Sequence, residues 1–237
     1  VLFRSVALEI ALKAGAYIEE AFPEVKVLYT RKDDTFIELD ERANMANRNQ
    51  ADLFMSFHCN SLAKGRQKVK GLEVYVMGNH VLDENLDVAK RENASILMEE
   101  DFEYKYAGYD PSSTEGHIIL SMYQNAFLEQ SIHFATQIEE QFKVATERET
   151  RGVYQAGFLV LRETSMPSVL IETGYISHKD EEKYLNSIQG QEDLAFSVFK
   201  AFRSYKSQME KRDFTGRKVN RKVTPIEIGR ASCRERV

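Results

Sequence analysis

Hydrophobic positions in residues 6–22, VALEIALKAGAYIEEAF, recur at helical spacing, with Ala7, Ile10, Ala11, Ala14, Ile18 and Ala21 along one side. Pro23 stops that helix. The short β-branched run Val25–Thr30 predicts a strand, and Arg31-Lys32-Asp33-Asp34 a turn. Leu39–Asn49 places Leu39, Ala43 and Ala46 on one side of a second helix. Asp52–Phe57 is almost continuously apolar, the pattern of a strand buried on both faces, and Leu72–Met77 is another strand. Gly65–Lys70 between them is a basic polar loop. The pattern then loosens over residues 79–117, with a helix expected over Leu86–Glu100 and a loop over Asp110–Gly116. A long helix over Ile119–Thr146 follows, then strand candidates Phe158–Arg162 and Ser168–Glu172, with Pro167 just ahead of the second. Lys179–Asn186 and Glu192–Glu210 close the pattern as helices. Residues 211–227 are basic, polar and aperiodic, and read as a tail or linker.

Strands alternating with helices imply one α/β domain, a mostly parallel twisted sheet flanked by helices. Its sites are expected at the carboxyl ends of strands. The composition fits a single globular domain: 237 residues, 43% hydrophobic and 29% charged. A formal net charge of −5 carries no basic excess for nucleic acid, and no apolar run reaches the length of a membrane span. The two ends read as foreign strings, translations of short adapter sequences. Residues 1–5 and 228–237 are therefore set apart as scars. That leaves Cys59 as the single cysteine of the domain, without an internal disulfide partner.

Two strand ends carry candidate chemistry. His58 follows the apolar strand directly, in Ser56-Phe57-His58-Cys59-Asn60. An imidazole there is a rigidly held metal ligand or general base, or else a hydrogen-bonded histidine at the edge of the core. Glu172 ends the other strand, in Ile171-Glu172-Thr173-Gly174-Tyr175. A carboxylate at that point is either an acid/base with a raised pKa or a group capping a loop or helix. Gly174 is expected to let the backbone turn away. Asp33 and Asp34 read as turn formers and Cys59 as a small buried residue. His80, His117, His133 and His178 show no ligand spacing and read as structural or exposed, and Lys64–Lys70 as a solvated loop.

Several short motifs occur in one order. They are Leu28-Tyr29-Thr30-Arg31 with Asp33 or Asp34, Leu39-Asp40-Glu41-Arg42, Ala46-Asn47, Ala51-Asp52-Leu53-Phe54 and Ser56–Asn60. Arg151-Gly152-Val153, Gln155-Ala156, Val160-Leu161-Arg162 and Met166–Ser177 follow. Together they resemble the zinc-dependent N-acetylmuramoyl-L-alanine amidases of the amidase-3 family, over roughly residues 6–206. The resemblance implies a sheet of about six strands and one Zn²⁺, with His58 as a ligand, Glu172 as the catalytic acid/base and Asn60 in a supporting position behind the ligands. It implies hydrolysis of the amide between N-acetylmuramic acid and L-alanine of the peptidoglycan stem peptide, in the periplasm or cell envelope. A catalytic domain over residues 6–210 is expected. Residues 79–117 fall where the cell-division branch of the family carries a regulatory insertion. In that branch a glutamate of the insertion can reach the zinc until an activator protein relieves it; Glu92 is the candidate, with Glu99 and Glu100 on the same run, the alternative being a plain surface helix with a solvated acidic face.

The sequence departs from the family at its start. The family's first strand, with its Gly-His-Gly-Gly loop, has no counterpart, and a ligand glutamate is due about three residues before Val6, inside the suspected scar. Glu9 lies too late in its helix to replace it. The signal peptide is expected to be lost with the same N-terminal segment. With His58 as the one family ligand left, the chain is expected to bind zinc poorly and to be impaired as an enzyme. The competing readings are a non-catalytic cell-wall-binding or regulatory pseudoenzyme, and a carboxypeptidase-like zinc hydrolase.

Overall fold

The computed structural model describes residues 2–62, 65, 67–79, 83–122, 126–146, 148–213 and 226–230. In chain order the elements are α1 Leu2–Ala21, β1 Val27–Tyr29, α2 Leu39–Arg48, β2 Leu53–Asn60, β3 Leu72–Met77, α3 Asp83–Asn93, a 3-10 turn Ala94–Met98 and α4 Phe102–Lys105. Then come α5 Thr114–Ser121, α6 Leu128–Thr146, β4 Thr150–Ala156, α7 Leu159–Arg162, β5 Ser168–Tyr175, α8 Lys179–Leu185, α9 Ile188–Asp213 and β6 Ile226–Arg230. The strands form one sheet in the order β1-β6-β2-β5-β3-β4. All neighbours pair in parallel except β3 with β5. The α/β class and the mostly parallel sheet expected from the pattern are therefore present.

β2 and β5 sit at the middle of the sheet, and every residue of both is buried. That is why their sequences are apolar without alternation. Their side chains still divide by face. Met55, Phe57, Cys59, Val169 and Ile171 join the larger core with α1, α6 and α9. Phe54 and Leu170 join a second core on the other face, with residues of α2, α3 and α7. Ser56, His58, Asn60 and Glu172 share this second face by the period-two rule. Each fully buried Phe or Leu contributes about 1.5–3 kcal/mol, so these two cores hold the strands that carry the candidate residues.

Several expectations change. Phe158–Arg162 is not a strand: Leu159–Arg162 form the one-turn helix α7, with Phe158 just ahead of it. A short buried apolar run fits either structure, and only packing decides. The neighbouring strand is β4, whose residues are mostly half-buried and whose mixed composition hid it. The helix expected over Ile119–Thr146 is two helices. α5 starts early because the Ser113 hydroxyl caps it, accepting from Gly116 N at 3.1 Å; it ends at Ser121, and α6 begins at Leu128. Finally, of the expected tail, residues 214–225 lie outside the described residues, and its two ends fall in regular elements. Lys211–Asp213 complete α9, and Ile226–Arg230, which cross into the segment set apart as a scar, form β6 between β1 and β2.

Gly174 does not turn the chain away. β2 and β5 are in register at His58↔Glu172 and again at Asn60↔Tyr175, so Cys59 opposes two residues, Thr173 and Gly174. This is a β-bulge, and Gly174 takes it at φ 153°. A Cβ there would lie 2.8 Å from Arg148 Nη2.

Candidate active site

His58 and Glu172 are register partners on adjacent parallel strands, which places both side chains on the same face just before the bulge. Glu73 of β3 pairs with Glu172 from the other side and faces the same way. α3 lies across this row. Glu92 Oε2 is 2.9 Å from His58 Nδ1, and Arg91 donates to Asn60 Oδ1 at 3.0 Å. His58 Nε2 lies 3.0 Å from Ser56 Oγ. One ring nitrogen thus faces a carboxylate and the other a hydroxyl.

Glu172 is wholly buried, and neither of its oxygens has a hydrogen-bond partner among the described residues. Burial is the main reason its carboxyl is held well above the usual carboxylate range. The Glu92 and Glu73 charges add to the rise and Arg91 opposes it. An ionised carboxylate in such a place costs roughly several kcal/mol unless a cation or donor meets it. Glu73 beside it is fully engaged. It accepts from Arg151 Nε at 2.6 Å, Tyr175 Oη at 2.8 Å and Tyr75 Oη at 2.9 Å. Burial among these carboxylates pushes both tyrosines far up, so they remain donors. One of two adjacent glutamates is therefore fixed in a hydrogen-bond network and the other is left available.

His58, Glu92 and Glu172 form a group whose ligand atoms all lie within 4.8 Å of one another. One imidazole and two carboxylates make a donor set that Zn²⁺ accepts, and the unpartnered Glu172 oxygens show that the pocket has polar capacity unused by the protein. The residues present thus fit a metal ion. A second acidic group, Glu38, Asp40 and Glu99, is different. Glu99 accepts from Leu39 N at 2.9 Å and Tyr106 Oη at 2.8 Å, which makes it a support for the start of α2.

The remaining candidates separate by contact. Asn60 bridges Arg91 and, at 3.5 Å, Glu73. Cys59 is buried on the opposite face against Thr173 Oγ1 at 3.3 Å. Asp33 accepts from Thr35 N at 2.9 Å, as a turn former does. His117 meets Pro111 O at 3.0 Å, His133 meets Gln208 Oε1 at 2.7 Å, and His178 caps α8. His80, Lys64 and Arg66 lie outside the described residues. Glu9 is exposed on α1, 3.8 Å from Lys13. Glu100 is exposed, so of the three glutamates on the expected helix Glu92 alone meets His58. The sequence reading did not single out Ser56 or Glu73. Ser56 could have been found as the small polar residue two places before His58 on the same face, whereas nothing local to Glu73 announces its pairing with Glu172.

A family model described as Amidase_3, N-acetylmuramoyl-L-alanine amidase, matches residues 4–204. The chain belongs to this family. Among its Amidase_3 relatives, the N-acetylmuramoyl-L-alanine amidase AmiC of Escherichia coli O6:H1 (strain CFT073) is 28% identical over 85% of the chain and 47% of the relative. AmiA of Escherichia coli K12 is 28% identical over 74% of the chain and 59% of the relative. The chain thus spans about half to three-fifths of the length of these two relatives. The catalytic domain of CwlV, an amidase from Bacillus (Paenibacillus) polymyxa var. colistinus, superposes with a TM-score of 0.60 at 27% identity, covering 86% of this chain and 85% of that one. Among the described residues, no helix of this Amidase_3 chain is long and apolar enough to cross a membrane.

Proposed function

We propose that this chain carries the catalytic centre of a peptidoglycan amidase, which hydrolyses the bond between N-acetylmuramic acid and the L-alanine of the stem peptide. The observation that carries this is Glu172: buried, unpartnered, raised in pKa, and level with His58 on the next strand. His58 would hold the Zn²⁺, with Glu92 within reach of the same position. A zinc held there would polarise the scissile carbonyl and acidify a water. Glu172 is placed to take a proton from the attacking water and to deliver it to the leaving amine. Its raised pKa suits the acid half of that task, because the carboxyl keeps its proton more firmly than a free one does. Ser56 fixes the rotation of the His58 ring, and Asn60 ties α3 to β2 through Arg91.

Glu92 supports the regulatory reading of residues 79–117. It sits against His58 with 5% of its side chain exposed, so α3 closes the face from which a substrate would approach. Moving α3 opens it, and a partner protein that binds the 79–117 segment would do so. The envelope or periplasm is where peptidoglycan is met, which supports that location.

The test is release of soluble stem peptides from purified sacculi with zinc in excess. The expected result is slow release by the unsubstituted chain and a drop of about 10²–10⁴-fold for Glu172→Gln. Equal rates for the two would overturn the role of Glu172. No release from either, with sacculi still bound, would favour the non-catalytic cell-wall-binding reading. Dialysis against metal-free buffer measures how firmly His58, Glu92 and Glu172 hold zinc. Retention of one equivalent would show that His58, Glu92 and Glu172 suffice.

A further inference from the structure

The floor of the candidate site continues past Glu73 to β4. β3 and β4 pair at Leu72↔Thr150 and next at Glu73↔Gly152, so Arg151 is an extra residue whose side chain is re-aimed by the irregularity. Its Nε donates to Glu73 Oε1 at 2.6 Å and its Nη2 to Glu84 Oε2 of α3 at 3.4 Å. One guanidinium thus meets two carboxylates, and the two contacts differ. Glu73 is buried and is also held by two tyrosine hydroxyls, so it fixes the guanidinium from the sheet side. Glu84 has 61% of its side chain exposed and its contact is long, which makes it the replaceable partner.

A cleft of about 300 Å³ lies here between α3 and the sheet, lined by Leu62, Val69, Glu84, Arg91, Arg151 and Tyr175 among others. That volume is at the lower end of those that hold a small ligand. Arg91 is committed to Asn60, and the outer carboxylates of the cleft, Glu84 and Asp87, are both carried by α3. α3 therefore sets Glu92 against His58 and Glu84 against Arg151, about 12 Å apart along the helix. The covering helix fills two anion positions at once, one beside the imidazole and one on a guanidinium.

We propose that Arg151 determines specificity for a carboxylate on the peptide side of the substrate, and that Glu84 holds that carboxylate's place while α3 covers the site. The proposal rests on the hydrolytic reading, whose bond fixes the side. The lactyl carboxyl of the glycan is consumed in the scissile amide, so the ionised carboxylates near the bond belong to the peptide. β4 lies two strand spacings, roughly 10 Å, from β5 and Glu172. Two extended residues span roughly 7 Å, and the arginine side chain covers the remainder. The carboxylate is thus that of the residue after the L-alanine. A guanidinium held from one side by a buried glutamate presents a fixed fork to it, and a fork on a carboxylate is both strong and direction-specific.

Chemical-shift titration of the whole chain, without metal, tests it with two probes. One is N-acetyl-L-alanyl-D-glutamate with its side-chain carboxyl capped as the methylamide; the other is the same compound with the α-carboxyl amidated as well. They differ by one charge. The charged probe is expected to bind about tenfold more tightly and to shift the amides of Arg151–Val153 most. Arg151→Gln is expected to bring the two probes to equal affinity. Glu84→Gln changes an exposed side chain, and serves should Arg151→Gln not fold. It is expected to tighten the charged probe severalfold and leave the amidated one unchanged. Glu172→Gln is expected to keep the preference, which separates failure here from failure of the hydrolytic reading. Equal affinities in the unsubstituted chain would overturn the proposal. So would a preference that survives Arg151→Gln, or a Glu84→Gln chain that binds the charged probe no more tightly.

Discussion

Two buried glutamates on the two sides of the bulge in β5 are treated in opposite ways. Glu181 of α8 uses its acceptors fully, taking Tyr175 N at 2.6 Å, Gly71 N at 3.1 Å and the Arg148 guanidinium. Glu172 of β5, more deeply buried, takes nothing from the described residues. The first carboxylate ties α8 and the loop before β3 to the bulge. The second is a charge site the fold surrounds but does not satisfy. Burial alone therefore does not separate the proposed acid from Glu181; unused hydrogen-bonding capacity does.

The comparison can be broken by exchanging the expected phenotypes. Glu181→Ala leaves Arg148 and two amides without their shared acceptor and should cost about 3–5 kcal/mol in urea-induced unfolding. Glu172→Gln should cost nothing in the same measurement without metal, although it removes the proposed activity. A loss of stability in Glu172→Gln as large as that in Glu181→Ala would erase the distinction.

The contrast sharpens with pH. Burial and the nearby Glu92 and Glu73 hold Glu172 above the range of a free carboxyl, so the unfolded chain releases this proton at a lower pH than the folded one. The metal-free protein therefore loses stability from this group as pH rises through about 4.3, and continues to lose it until the folded carboxyl ionises. The melting temperature of Glu172→Gln should match that of the unsubstituted protein near pH 4 and exceed it increasingly toward pH 7. A difference that is flat with pH would mean that Glu172 has a partner in solution.

Two smaller effects come from its neighbours. Glu92→Ala takes a carboxylate off His58, and under the regulatory reading it should raise the hydrolysis rate severalfold at saturating zinc. A fall in rate together with faster zinc loss would make Glu92 a ligand instead. Ser56→Ala removes one hydrogen bond to His58 and should cost about 1 kcal/mol of stability, with a modest loss of zinc affinity.

Much of the site was legible because strands write their position into sequence. β2 and β5 are buried on both faces, so the polar residues His58, Asn60 and Glu172 stand out against apolar neighbours. Glu92 was within view only as one of three glutamates on a helix; its distance to His58 depends on how α3 packs, which periodicity does not encode. Glu73 was hidden because its role rests on an antiparallel pairing across 99 positions of chain, Glu73↔Glu172. β4 and β6 were missed for a related reason. β4 is half-buried at the sheet edge, and β6 follows an aperiodic stretch and pairs only with strands far from it in sequence.

The bulge opposite Cys59 also shifts the phase of β5. Ile171 packs in the larger core, Glu172 faces the site, and Thr173 turns back to donate to His58 O at 2.8 Å. After the extra residue Gly174, it is Tyr175 whose hydroxyl reaches the site side, at Glu73, while Ile176 rejoins the larger core. A scan of substitutions along β5 should therefore show tolerance alternating with period two up to Thr173, then slipping by one. A one-residue deletion at Gly174 would erase that slip and leave one unbroken alternation, with Tyr175 still toward the carboxylates and Ile176 still in the oily layer.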